Sequence, residues 1–130
     1  MQPNLFLMFN HRITPAQQVD AFASLGINDI ISMPERLQHR WSHIPPELKE
    51  IHSYLEPFEK WLRASAKAGD FVLIQGDFGA CYLMVHFAMA QCLVPIYSST
   101  RREAEEEHHP DGSVTILHYF RHGLFRRYGA

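Results

Sequence analysis

The chain has 130 residues, of which 46% are hydrophobic and 12% aromatic, and its formal net charge is −2. This length allows one domain with a hydrophobic core, so we predict a single domain over residues 1–130. The slightly acidic balance argues against a binder of duplex nucleic acid, which usually carries a basic excess. It remains compatible with a small anionic ligand held by a few local cations.

The cysteines and the N-terminal sequence indicate the cellular compartment. Cys81 and Cys92 fall in one apolar segment that reads as a helix, where they would lie roughly 16 Å apart, too far to pair. We therefore expect two buried thiols and no disulfide framework. The first residues lack the basic region of a signal peptide, and no apolar run is long enough to cross a membrane. These features predict a cytoplasmic protein without a membrane partner.

The first predicted elements are a strand, a helix and a second strand. Residues 4–9 and 29–33 are short apolar runs typical of buried strands. The helix between them opens on capping signals, and Gly26 fits its end. The capping signals are Thr14, Pro15 and Gln17. The predicted buried stripe of this helix is Val19, Phe22 and Leu25.

The next segment is predicted to be irregular at first and then helical. Residues 35–44 show no clear period. A helix is expected to open at Pro45 and Pro46 and to be kinked or divided at Pro57. Its predicted buried face recurs at three- and four-residue spacing and comprises Leu48, Ile51, Leu55, Phe58 and Leu62.

The second half of the chain continues the alternation of strands and helices. Residues 70–74 predict a central parallel strand, because "FVLI" within them is continuously apolar, and residues 80–92 predict a deeply buried helix. Residues 101–108 are charged and are interpreted as helical. Further strands are predicted at residues 94–98, 114–120 and 121–130. This alternation predicts an α/β fold, a minimal Rossmann-like, mostly parallel sheet flanked by helices.

Polar residues follow the predicted strands, where an open parallel sheet binds its ligands. His11 follows the first strand, and Ser32 and Met33 follow the second. The candidate ligand-binding residues at these strand ends are Asn10, Gln75, Gly76, Phe78, Gly79, Ser98, Ser99, Thr100 and Arg102.

The stretch "IQGDFGACYLM", residues 74–84, places a glycine-rich turn between a buried strand and a helix. Gly76 and Gly79 would allow a sharp turn and the close approach of a ligand, and the free N–H groups of the new helix would favour an anion. Turn chemistry alone favours the simpler interpretation, in which Asp77 only caps the helix. The spacing matches neither the dinucleotide fingerprint nor a P-loop.

Two basic segments have both a functional and a structural interpretation. "SSTRRE", residues 98–103, has hydroxyl and guanidinium groups suited to phosphate, and it also fits a helix cap followed by solvated charge. "HYFRHGLFRRY", residues 118–128, interleaves aromatic and basic residues suited to bases and phosphates, and it also fits an edge strand. From it we add His122 and Arg126 as candidate ligand residues. The nine histidines show no metal-ligand spacing, so no metal site is predicted.

Taken in order, "LFLMFNHRIT", "IQGDFGA", "YSSTRRE" and "HYFRHGLFRRY" resemble the small CRISPR-associated Rossmann-type proteins of type III systems. The likeness runs over nearly the whole chain and is closest to the group that handles cyclic oligoadenylate messengers. It implies a CARF-like domain, a homodimer with cyclic tetra-adenylate on its two-fold axis, and no cofactor. It also implies ring nuclease activity that ends the antiviral signal.

The implied reaction is metal-independent attack of a ribose 2′-hydroxyl on the adjacent phosphorus, giving linear products with a 2′,3′-cyclic phosphate. In that reaction His11 would serve as general base or acid, and Arg101 would stabilise charge on the phosphoryl oxygens. Asp77 would help to fix the phosphate and ribose.

Three alternatives remain open at this point. One is a protein that only binds the messenger, as a sponge or sensor. Another is an α/β enzyme that acts on a mononucleotide or nucleoside. The last is a structural partner in a larger CRISPR complex.

Overall fold

A computed structural model describes residues 2–130. It contains five strands, four α-helices and one short 3₁₀ turn. In chain order these are β1 (Leu5–Phe9), α1 (Pro15–Leu25), β2 (Ile30–Ser32), α2 (Glu35–Ser42), the 3₁₀ turn (Ser53–Leu55), α3 (Glu56–Ser65), β3 (Phe71–Gln75), α4 (Phe78–Ala90), β4 (Val94–His108) and β5 (Val114–Arg127). In the part of the chain that the structure describes, no helix combines the length and apolar character needed to cross a bilayer.

The strands form one sheet in the order β2-β1-β3-β4-β5. The first four strands are parallel, and β5 runs antiparallel to β4. The predicted Rossmann-like α/β fold with a mostly parallel sheet is confirmed. In this arrangement the carboxyl ends of β1 and β3 lie together at one edge of the sheet, beside Ser98 of β4, and β4 continues past that edge to His108.

The sheet is covered on both faces, because alternate strand residues point to opposite sides. Phe6, Met8, Val72 and Ile74 pack with buried residues of α2, α3 and α4. The opposite face carries Leu5, Leu7, Phe9, Phe71, Leu73 and Ile96 and packs against Ala21 of α1. Helix α1 therefore covers the second face, and its N-terminal end lies beside Phe9 and Gln75, the last residues of β1 and β3.

Helix α1 begins and ends where the sequence predicts. Thr14 and Gln17 form a reciprocal capping box, and Gly26 adopts a left-handed conformation with φ of 63°. The predicted buried stripe is wrong at two of its three positions, since Val19 is 70% exposed and Phe22 is also exposed, while Leu25 is partly buried against the core. The buried residues are Gln17 and Ala21, one turn apart. A small alanine lets the helix approach the bulky side chains of the sheet, and Val19 and Phe22 face outward.

The segment after β2 differs from the sequence prediction. Residues 35–44, predicted to be irregular, contain α2, which buries Leu37 and Trp41 four positions apart. Two apolar residues were too few to reveal a helical period. The helix predicted to open at Pro45 instead begins at Glu56, and Pro57 lies in its first turn. Proline at that position lacks only a donor that the helix would not use, so it starts the helix rather than kinking it.

Strands β4 and β5 form a long two-stranded ribbon, which the sequence did not reveal. Residues 101–108, interpreted as helical, are strand, and the two strands predicted at 114–130 are one. Glu103 pairs with Tyr119 and Glu107 with Thr115, so the acidic run lies opposite strand-forming residues. The pairing is interrupted by a bulge near Ser98, where Gly123 and Leu124 add one extra residue to β5.

Helix α4 is amphipathic in its packing, not fully buried as predicted. Ala80, Met84 and Ala88 form its buried face, while Tyr82 is exposed. The expectation of two buried thiols is also partly wrong. Cys81 is half-buried, but Cys92 follows the helix and is exposed.

Candidate functional site

Three cavities lie side by side along the carboxyl edge of the parallel strands. The central cavity, of about 380 Å³, lies between α1 and the ribbon. The β2-side cavity, of about 580 Å³, shares Phe9 and His11 with it. The aromatic cavity, of about 500 Å³, lies beside α4 and shares Gln75 with the central one. The shared residues make the three a continuous row.

The central cavity brings together residues from four separate parts of the chain. Its lining consists of Phe9, His11, Thr14, Gln17, Gln75, Ser98, Thr100, Phe120, Arg121 and His122. Among the described residues that line it, none is acidic. Hydroxyls, amides, imidazoles and a guanidinium-bearing residue beside an aromatic ring are groups that bind phosphates and bases.

A chain of hydrogen bonds runs from the wall of the central cavity, in the ribbon, to α1. The Oγ of Ser98 lies 2.5 Å from Nδ1 of His122, and Nε2 of His122 lies 2.6 Å from Oδ2 of Asp20. The Ser98 residue is 8% exposed and the His122 side chain 5% exposed. Asp20 is therefore the carboxylate that holds the buried imidazole in place.

Asp20 is kept ionised by its hydrogen bonds. The Ser24 hydroxyl, 2.7 Å from Oδ1, is the largest cause lowering the pKa of this carboxyl, and the bond to His122 is the next. Partial burial opposes them. The net result favours a charged carboxylate beside the imidazole.

Two glutamine side chains hold Ser98 in position. The backbone N–H of Ser98 donates to Oε1 of Gln75 at 2.7 Å. The Nε2 of Gln17 donates to Oγ of Ser98 at 3.3 Å, while its Oε1 accepts from the Thr14 backbone. The same glutamine thus caps α1 and reaches the site, which explains why a polar residue is buried on that helix.

The β2-side cavity collects other residues predicted at strand ends. Asn10, Arg12 and Ser32 line it together with His11. The Gln38 amide donates to the carbonyl of Phe9 at 2.7 Å and so anchors α2 at this edge. In residues 2–130, no group of three or more His, Cys, Asp or Glu side chains is arranged to hold a metal ion.

The aromatic cavity is mostly apolar. Its rings come from Phe78, Tyr82, His86, Tyr97 and Tyr128. The Tyr128 hydroxyl donates to the carbonyl of Ile74 at 2.5 Å, and burial raises the pKa of Tyr128 to about 12. Burial likewise raises the pKa of the Cys81 thiol to about 11.

The glycine-rich turn has a mainly structural role in the geometry. Asp77 is the N-cap of α4, and its Oδ2 accepts the Ala80 N–H at 3.0 Å. The Asp77 carboxylate thus occupies the N-terminus of α4. Of the two interpretations of this turn, an anion site or a helix cap, the geometry matches the cap. At Gly76 a Cβ would lie 2.8 Å from Nε1 of Trp41, whereas Gly79 has no contact closer than 3.5 Å. Gly76 therefore allows the backbone to pack closely against the Trp41 indole.

Several predicted ligand residues are engaged within the ribbon instead. Ser99 accepts the Leu124 N–H at 3.0 Å. Arg102 lies 3.5 Å from Nδ1 of His118, and Arg126 donates to the Tyr97 hydroxyl at 3.2 Å. Arg101 pairs with Arg121 across the ribbon and does not belong to the lining of the central cavity.

Comparison with known proteins gives a family. Residues 3–126 match the model of the uncharacterized protein MJ1673 family. The chain belongs to this family. It is 44% identical over 126 residues to uncharacterized protein MJ1673 from Methanocaldococcus jannaschii, covering 97% of each chain. No solved structure matches it. The span that matches the MJ1673 family includes all three residues of the Ser98–His122–Asp20 chain.

Sequence reasoning missed several residues of the central cavity. Gln17 is predicted only as a cap, and Phe120 and Arg121 are not among the predicted site residues. Asp20, which does not line the cavity but bonds to His122 behind it, is not predicted either. A signal existed in α1, where Gln17, Asp20 and Ser24 are spaced three and four apart and so form a polar stripe on one side. No local signal links that stripe to β5.

Proposed function

We propose that the protein binds a cyclic oligoadenylate, with cyclic tetra-adenylate the first candidate, along the row of cavities and cleaves it. The observation that carries this proposal is the central cavity, which combines hydroxyls, amides, histidines and Arg121 with no acidic residue among its described lining. Such a lining suits a phosphodiester and its ribose. Cleavage would give linear products with a 2′,3′-cyclic phosphate and so switch off type III CRISPR signalling.

The shape of the edge supports a ligand with repeated units. Three adjoining cavities are linked by His11, Phe9 and Gln75, and aromatic rings line all three of them. In sites that bind single-stranded nucleic acid, bases stack on aromatic rings and phosphates contact cations. Such binding depends little on the base sequence of the ligand. The net charge of −2 disfavours duplex nucleic acid, and the proposed role places the protein in the cytoplasm.

The proposed chemistry needs positioning, a proton acceptor and stabilisation of charge. His11 is exposed and borders two cavities, where it would take the 2′-hydroxyl proton or donate one to the leaving oxygen. Arg101 lies directly opposite Arg121 in the ribbon, and Arg121, whose Nε donates to Oε2 of Glu103 at 2.7 Å, lines the cavity. They would stabilise the charge that develops on the phosphoryl oxygens.

A homodimer is part of this proposal. Apolar side chains are exposed on the outer side of α1 and along the ribbon: Val19, Phe22, Ile116, Phe120 and Leu124. Exposed apolar groups of this kind mark surfaces that associate. A second copy would cover them and would place a second set of cavities near the ligand.

The decisive experiment is incubation of the protein with excess cyclic tetra-adenylate in EDTA, followed by chromatography of the products. We expect many rings per protein to become linear products ending in a cyclic phosphate. His11→Ala and Arg101→Ala, made singly, should lower turnover far more than binding. His108→Ala, which changes an exposed histidine paired with Glu106 on the ribbon, is the matched control and should leave both unchanged. Full turnover in both test variants would remove these roles, and absence of binding would overturn the proposal.

A second candidate is a sponge or sensor that binds the messenger without cleaving it. The positions of two predicted catalytic residues favour it, because Asp77 is occupied as a helix cap and Arg101 does not line the central cavity. In the same experiment a sponge would return the ring intact after denaturation. Saturable binding of simple nucleotides with no binding of the ring would instead favour a mononucleotide enzyme.

A further inference from the structure

Ser98, His122 and Asp20 are joined in series by contacts of 2.5 and 2.6 Å, where β4 passes the carboxyl edge of the parallel strands. We propose that Ser98 is an activated nucleophile that attacks small carboxylic esters entering the central cavity. This would be an acyl-transfer activity separate from the cleavage of a nucleotide ring. Hydroxyl, imidazole and carboxylate in this order form the constellation that activates a serine on unrelated folds.

The hydrogen bonds favour one protonation pattern. A neutral imidazole has one N–H donor and one acceptor nitrogen. Asp20 accepts only, so Nε2 of His122 carries the proton, and Nδ1 is left to accept the hydroxyl proton of Ser98. The nitrogens are used in the opposite sense to the most familiar triads, but the direction of proton transfer is the same, from Oγ to the ring.

Access and charge stabilisation are available at the same place. Ser98 lines the central cavity, although most of its surface is covered. Gln17 places an amide donor 3.3 Å from Oγ, and Gln75 is fixed by its bond to the Ser98 backbone. Side-chain amides beside a nucleophile can stabilise the oxyanion of a tetrahedral intermediate. Both amides belong to residues that line the cavity.

The reaction balances without a cofactor. Oγ of Ser98 forms a bond to the carbonyl carbon, and its proton passes to Nδ1 of His122. Collapse of the tetrahedral intermediate breaks the bond to the alcohol, which leaves with that proton. Water then attacks the acyl-serine, gives its proton to His122, and releases the carboxylic acid as Oγ recovers the proton. Asp20 acts throughout as a positioning residue for the imidazole.

The first test is covalent labelling of the wild-type chain with a fluorophosphonate probe, mapped by peptide mass spectrometry. We expect one adduct, on Ser98. A folded chain that yields no Ser98 adduct, under conditions that label a known serine hydrolase, would overturn the proposal. This test needs no variant, so it cannot be confused with a failure to fold.

The second test follows hydrolysis of p-nitrophenyl acetate in variants whose folding is checked by circular dichroism. Ser98→Ala should abolish labelling, and His122→Ala should lower the rate by about 10²–10⁴-fold. Asp20→Asn should lower it strongly, and Asp20→Glu should restore part of the loss, which a merely structural role would not produce. Ser65→Ala, at the end of α3, is the remote hydroxyl control. Equal rates in wild type and folded Ser98→Ala would overturn the proposal, whatever the outcome with cyclic oligoadenylate.

Discussion

His122 and Asp20 lie 102 positions apart in the sequence, yet Nε2 of the imidazole is 2.6 Å from Oδ2 of the carboxylate. This contact ties the last strand of the sheet to its first helix. It also helps to lower the pKa of Asp20, after the larger effect of the Ser24 hydroxyl. A carboxyl whose pKa is lowered in the folded state stabilises that state above its usual pKa.

We therefore predict an acid-dependent loss of stability that requires Asp20. The contribution is present above about pH 4 and disappears as the pH falls through the lowered pKa. The urea midpoint of wild type should exceed that of Asp20→Asn at neutral pH, and the difference should shrink below pH 4. Glu105→Gln removes the same charge from an exposed ribbon position and is the control. A constant difference between wild type and Asp20→Asn would contradict the assignment.

Gly76 and Gly79 form a matched pair for testing close packing. Gly76→Ala places a methyl group against the Trp41 indole, which donates to the Gln75 carbonyl, and should destabilise the fold by about 1–3 kcal/mol. Gly79→Ala meets only ordinary contacts in the first turn of α4 and should be neutral or stabilising by up to about 1 kcal/mol. Chemical denaturation of both variants measures the contrast. Similar effects from the two substitutions would show that Trp41 moves aside.

Two substitutions distinguish a helix-capping role of Asp77 from a catalytic role. Asp77→Ala removes the side-chain acceptor for the Ala80 N–H and should lower stability by about 1 kcal/mol. Asp77→Ser keeps an acceptor at the cap and should retain most of that stability. If Asp77 is only a cap, Asp77→Ser should also keep full turnover of the ring, and a large loss of turnover in this stable variant would restore its catalytic role.

The two cysteines should react at very different rates. Cys81 is half-buried and its pKa is raised to about 11, so little thiolate is present at pH 8. Cys92 is exposed after the end of α4. Intact-mass analysis with iodoacetamide should show one fast alkylation, which is lost in Cys92→Ser and retained in Cys81→Ser. Rapid alkylation of Cys81 in the folded chain would mean that the aromatic cavity opens readily.

The elements that the sequence predicted correctly are those specified by neighbouring residues. The cap at Thr14, the end at Gly26 and the apolar run of β3 each depend on a few consecutive positions. Helix α2 was missed because only Leu37 and Trp41 reveal its buried side. The ribbon was missed because its pairing joins distant residues, and an acidic run has no strand signal of its own.

The candidate site shows the same division between local and distant information. His11, Gln75 and Ser98 were predicted because the ends of parallel strands converge at one edge of the sheet. Asp20 was not, since it lies on a helix whose orientation depends on how the sheet packs. Arg101 and Asp77 have suitable chemistry in the sequence, but the fold engages Asp77 as a cap and leaves Arg101 outside the lining of the central cavity.

The antiparallel ribbon has a consequence for the order in which the molecule acquires its chemistry. The four parallel strands and all four helices are complete before β5, yet His122 and Arg121 reach the cavity only when β5 pairs with β4. A chain emerging from the ribosome would thus hold a nearly complete core before the proposed site is assembled. Recovery of the proposed activity during refolding would therefore follow the pairing of β5 with β4, not the formation of the core.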